Sequence, residues 1–172
     1  MSLALKVVLA AALAPLPNVP VAALNVQRYS GQWHEIARLP MYFQRHCLDQ
    51  VTATYTPLAN GQIRVDNACR TEEGKTLRSI GVARKVAGKP GQLQVRFAPE
   101  WLTWLPMVWA DYWVVDLDAQ YRWAVVGGPS HKYLWILSRS PTMKRETFDQ
   151  IKADATARGY DTSKLVMSAP LN

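Results

Sequence analysis

With 172 residues, 49% of them hydrophobic and 19% charged, the chain is long and apolar enough to bury one core and form a single domain. The same fractions exclude a disordered chain, and no uninterrupted apolar stretch reaches the ~18 residues needed to span a membrane as a helix. A formal charge of +7 favours acidic partners, and seven Trp, seven Tyr and three Phe must fill a core, line a cavity or face a partner.

Residues 1–23 carry one charge, Lys6, then an apolar run from Val7 to Ala14, then small residues and prolines. This pattern reads as a secretory leader cleaved near Ala14 or Ala23, with 24–172 as the mature domain. A buried N-terminal helix is the alternative. No Cys precedes Cys47, so export without a lipid anchor is expected.

The rest of the chain alternates in short stretches broken by turn residues. Strands are expected at 33–39, 51–56, 62–70, 76–86, 92–97, 111–117, 121–128 and 132–139, with turns at Asn60-Gly61, Glu72–Gly74, Gly88–Gly91, Asp118–Gln120 and Pro129-Ser130. The period then changes. Met143, Thr147, Phe148, Ile151 and Ala155 fall at helical spacing, with Ser140 and Pro141 as cap and first turn and Gly159 as the stop. A short final strand, 164–168, follows.

Eight consecutive strands without an intervening helix make an antiparallel meander, and closure removes its edges. The expected fold is therefore all-β: an eight-stranded antiparallel up-and-down barrel with a C-terminal helix, large enough to hold one small ligand. A two-sheet sandwich competes on the strand pattern alone. In a hairpin about Asn60-Gly61, Cys47 and Cys69 share the parity of Val51, Ala53, Tyr55, Ile63 and Val65, so they project from one face and can form a disulfide. Two buried thiols remain the alternative. With no CxxC and only His46 nearby, no metal site is expected.

Gly31-Gln32-Trp33 followed by His34–Pro40 (HEIARLP), then VTATY, NACR, LDAQYRWAVVGGP and YLWILSRSP in that order, resembles the lipocalin family, in particular its bacterial outer-membrane branch. The likeness covers about residues 24–168. One departure is at Leu117-Asp118-Ala119, where the family usually has Thr-Asp-Tyr and only the Asp is retained. The resemblance implies that Trp33 packs across a closed end with Arg139 over its indole, both as structural residues. It also implies an envelope location, in the periplasm or at the outer-membrane periphery, and a lipid ligand.

Alternation of barrel ends places residues 40–48, the Glu72–Lys75 turn, 98–108 and Pro129–His131 around one mouth. Trp101, Leu102, Trp104, Leu105, Pro106 and Met107 form an apolar cluster there, which suits a ligand portal, a membrane contact or a lid. Period 2 and the family's cavity positions put Tyr133, Trp135 and Leu137 on one inner face and Tyr112 and Val114 on another. Trp109 and Trp113 compete with Tyr112 for the inside, and Trp109 is kept as a candidate. An acyl chain in the barrel would bring its head group near Arg45, His46 and Arg84.

Catalysis is not expected, because the three histidines lack a nucleophile partner and no HExxH, GxSxG or phosphate loop occurs. Nor is a nucleic-acid role, since Lys and Arg are spread without a cluster. The expectation is a cofactor-free carrier of fatty acids or lysophospholipids, monomeric or a weak homodimer, with peripheral contact to membrane lipid. The alternatives are a scavenger of haem or damaged lipid, or an enzyme on the same fold.

Overall fold

The computed structural model describes residues 14–97 and 109–172. Eight strands follow one another: β1 (Gly31–Arg38), β2 (Asp49–Pro57), β3 (Ile63–Arg70), β4 (Thr76–Val86), β5 (Lys89–Arg96), β6 (Ala110–Leu117), β7 (Trp123–Gly127) and β8 (Trp135–Ser138). Each is antiparallel to the next, and β1 pairs with both β8 and β2, so the sheet closes on itself. Closure leaves no continuous edge, which settles the choice between barrel and sandwich.

β1 does not keep one neighbour along its whole length. It lies beside β2 only from Gly31 to His34; further on, at Ala37 and Arg38, the short strand β9 (Val166–Met167) takes that side. The barrel is therefore forked at one end, between β1 and β2.

Alternation sorts the side chains into two cores. Inside the barrel are Trp33, Tyr55, Ile63, Val65, Leu93 and Val126. Outside, Ile36, Val125 and Ile136 meet Phe148, Ile151 and Ala155 of the helix α2 (Arg145–Ala157). β7 and β8 are buried on both faces for this reason.

Four local details depart from the expected boundaries. The turn between β4 and β5 is tighter, since Val86 already faces Lys89. Gly88 supplies the positive φ of +73° at the second central position of the turn, as a type II turn requires. The helix starts at Arg145 rather than near Pro141, because residues just before it pair with the C-terminus: Asn172 N donates to Met143 O and Arg145 N to Asn172 O. The last strand is only Val166–Met167, since Thr162–Lys164 form a 3-10 turn. A short helix α1 (Val26–Tyr29), capped by the Asn25 side chain, precedes β1 and had no periodic signal.

Residues ahead of α1 are also built into the fold. Leu16 N donates to Ala157 O, Asn18 Nδ2 to Gly128 O, and Val21 N to Val114 O. Gly91 is required where Val21 crosses β5, because a Cβ there would stand 2.4 Å from Val21 O.

Cys47 and Cys69 form a disulfide. Parity does not explain it, because Gln50 has φ +51° and the β2–β3 register shifts between Asp49 and Thr52, which breaks the alternation. Instead Leu48 N donates to Arg70 O, laying the chain at Cys47 beside the end of β3.

Candidate functional site

The barrel encloses a cavity of about 560 Å³. That volume falls within the ~300–1,000 Å³ range of small-molecule sites. Val65, Val126 and Leu137 supply aliphatic wall, and Tyr55, Tyr112, Tyr133 and Trp135 supply aromatic wall. Phe43, Leu77 and Phe97 stand at the mouth, each substantially exposed.

Trp33, fully buried, closes the far end, and its indole Nε1 donates to Tyr29 O. Tyr29 packs on Trp33 with ring centroids 5.1 Å apart. Above it the hydroxyls of Tyr29, Tyr112 and Tyr55 meet, at 2.7 Å and 2.8 Å from Tyr112. Burial pushes the Tyr55 phenol up to about 12 and raises those of Tyr29 and Tyr112 as well. All three are therefore neutral hydroxyls at ordinary pH.

A polar latch holds the mouth loop. Glu35 accepts from Arg38 and Ser168 on one oxygen and from Gln44 Nε2 on the other, while Gln44 Oε1 accepts from Trp135 Nε1. The buried ion pair on β1 is thus tied, through the loop, to an aromatic of the cavity wall.

At the rim, Arg78 is paired with Asp66, whereas Arg96 makes no ion pair among the described residues. Its Nε and Nη1 are buried without a hydrogen-bond partner there. Arg96 lies 4.8 Å from the Trp109 ring, and Arg84 stands over the same indole at 4.0 Å.

Residues 24–170 match the family described as a lipocalin-like domain. The chain belongs to the lipocalin family. It is 43% identical over 148 residues to temperature-induced lipocalin-1 of Arabidopsis thaliana, covering 84% of this chain and 78% of the relative. It is 36% identical to the outer membrane lipoprotein Blc of Escherichia coli K12, covering 88% and 84%. Among solved structures, insecticyanin from the tobacco hornworm Manduca sexta superposes with a TM-score of 0.68 at 20% identity, covering 92% of this chain and 86% of that one.

In this lipocalin the expected wall residues Tyr112, Tyr133, Trp135 and Leu137 are brought together on the cavity. Val114 is fully buried in the interior core but does not border the cavity. Trp109 is a correction: it is not among the residues that border the cavity, because it takes the outward parity and is held by Arg84 and Arg96. Trp113 likewise packs outside the barrel, on the helix-side core. Trp101 and Trp104, with their apolar neighbours, lie outside the described residues.

The expected head-group cations are also displaced. Arg45 is exposed and folds over Tyr42, 3.7 Å from its ring; Arg84 faces outward, bonded to Gln94; His46 is exposed. Arg78 and Arg96 belong to the strand ends at the cavity's mouth, but alternation turns both outward, Arg78 to Asp66 and Arg96 to Trp109. Tyr55 could have been found from the parity of VTATY.

Arg139 stands over Trp33 as the resemblance implied, 3.8 Å from the ring. Asp118 keeps a role at its turn despite the altered neighbours: it accepts from Gln120 N and Arg122 N and pairs with the Arg122 guanidinium.

Proposed function

We propose that this lipocalin carries a long-chain anionic amphiphile, a fatty acid or lysophospholipid, with its acyl chain in the barrel and its head group at the mouth. The observation that carries this reading is the 560 Å³ cavity of aromatic and aliphatic walls, open at a mouth lined by Phe43, Leu77 and Phe97, in a chain of formal charge +7. Burying an acyl chain gains ~0.8 kcal/mol per CH₂, so ten methylenes give ~8 kcal/mol before association costs. Nothing in this function requires bond chemistry. All three histidines stand away from the cavity, with His131 bonded to Arg158 O, His34 on the outer face and His46 exposed, which favours lipid over haem.

An envelope location in a bacterium is part of the same proposal, supported by the relatives named as outer membrane lipoproteins. Residues 1–23 fit a leader, and the hydrogen bonds made by Leu16, Asn18 and Val21 favour cleavage near Ala14 over Ala23.

Delipidated protein titrated with a long-chain fatty acid or a lysophospholipid should show a saturable change in tryptophan fluorescence, with Kd of ~0.1–10 μM. Raising the salt concentration should weaken binding of a fatty acid but spare an uncharged monoacylglycerol, because the mouth is exposed. A flat titration with every lipid sinks the carrier reading and leaves the barrel intact, because a fold does not dictate its ligand.

A further inference from the structure

The tyrosine cluster at the floor is more polar than an acyl chain alone requires. Its three hydroxyls carry three protons, and two hydrogen bonds join them, both involving Tyr112. Each bond uses one proton whichever oxygen donates, so every arrangement leaves one proton over. No further hydrogen bond from these hydroxyls is made among the described residues. The protein supplies no acceptor for it among the described residues, so the spare proton is available to a water or to an oxygen of a ligand.

That proton can be delivered to the cavity. Tyr55 and Tyr112 border it, while Tyr29 sits behind them against Trp33. If Tyr29 donates to Tyr112 and Tyr112 to Tyr55, Tyr55 holds the spare proton; if both neighbours donate to Tyr112, it is on Tyr112. Rotation of hydroxyls alone moves it from one wall residue to the other.

The acceptor it suits is uncharged. Beneath the cluster the nearest cation in the floor is Arg139, and its guanidinium is committed to the carbonyls of Arg28, Ser30 and Gln32 and to the Trp33 ring. A carboxylate at this depth would be unpaired in apolar surroundings, whereas a ketone or ester carbonyl needs one donor and no counter-charge. The mouth, by contrast, is open to solvent, where a charged head group keeps its hydration.

We propose that the cavity selects a bipolar lipid: an anionic head at the rim and a neutral oxygen acceptor, of the ketone or ester class, in the buried part of the chain, bonded by Tyr55 or Tyr112. This rests on the carrier reading above and names the kind of chain that is preferred.

The test compares a saturated long-chain fatty acid with oxo-substituted analogues that bear one ketone at different positions along the same chain. On delipidated wild-type protein, the analogue whose ketone reaches the floor should bind about five- to tenfold tighter than the parent acid. In Tyr55→Phe/Tyr112→Phe, which keeps the aromatic walls, the ratio of the two affinities should fall to about one, whatever the variant does to the parent acid. Should that variant fail to fold, the infrared carbonyl stretch of the labelled ketone decides in wild-type protein. A shift to lower frequency than in hydrocarbon solvent supports the hydrogen bond. If the parent and every analogue bind equally and the stretch is unshifted, this proposal falls while the carrier reading stands. If neither parent nor analogue binds, the carrier reading fails and takes this one with it.

Discussion

Arg139 places its guanidinium 3.8 Å from the centre of the Trp33 ring and donates to the carbonyl oxygens of Gln32, Arg28 and Ser30. One side chain from the end of β8 thereby seals the start of β1. Gly31 makes room for it: its φ is +92°, and a Cβ there would stand 3.3 Å from Arg139 Nη1. Trp33 has 0% exposure and does not border the ligand cavity.

Trp33→Ala should therefore lower unfolding free energy by ~3–5 kcal/mol, through the cavity it leaves beside Tyr29. Arg139→Ala should cost ~2–3 kcal/mol, and Arg139→Lys should recover only part, since an ammonium cannot serve a fan of carbonyls and stack as well. Urea denaturation gives the values. Lipid binding by the folded fraction should persist in each variant; loss of binding at unchanged stability would make Trp33 a ligand contact instead.

The Glu35–Arg38 pair is buried on both sides, at 4% and 8% side-chain exposure. Removing one partner leaves an uncompensated charge, so Arg38→Met should destabilise by ~3–5 kcal/mol. The double replacement Glu35→Leu/Arg38→Met should be less damaging than the single one. It should also release Gln44, which Glu35 holds at 2.9 Å, and so change the fluorescence of Trp135. Additive losses in the double variant would refute the coupling.

Asp118 is held low, to about 2, chiefly by hydrogen bonds from the Arg122 side chain. A folded value below the unfolded 3.8 means that the carboxylate contributes stability above that pH and loses it as pH falls toward 2. The stability difference between wild type and Asp118→Asn should be constant above about pH 5 and shrink on acidification. The tyrosine cluster predicts the opposite limb. Its phenols, Tyr55 at about 12, are raised above the ordinary 10.0, so they stabilise fully below pH 10 and less as pH climbs through 12. A spectrophotometric titration at the tyrosinate band should show late-ionising groups that appear only with unfolding.

Cys47 and Cys69 are 22 residues apart and both border the cavity near its mouth. On the chain-entropy account, reduction should lower stability by ~3 kcal/mol. Thiol titration of the unfolded, unreduced protein should find no free thiol, and the urea midpoint should fall with reductant. The mouth loop at Phe43 and Gln44 should loosen as well, weakening lipid binding more than Trp33→Ala does.

Local pattern determined the strand order and the barrel, because both depend on period-2 alternation and turn residues that lie within a few residues of one another; the Trp33–Arg139 plug was implied by the family resemblance. Tyr112, Trp135 and Leu137 were legible for the same reason: inward parity survives in any closed barrel. Other features arise between segments far apart in the chain. The helix begins at Arg145 because the C-terminus pairs with Met143 and Arg145, and parity could not see that. Trp109 is equally apolar inside or out, and only the arrival of Arg84 and Arg96 from two other strands decided its side. Likewise, Arg45 stays clear of the cavity because it folds onto the neighbouring Tyr42 ring. The hydroxyl cluster joins Tyr29, Tyr55 and Tyr112 from α1, β2 and β6; each is an ordinary core aromatic by sequence, and their shared proton count exists only once the barrel has closed.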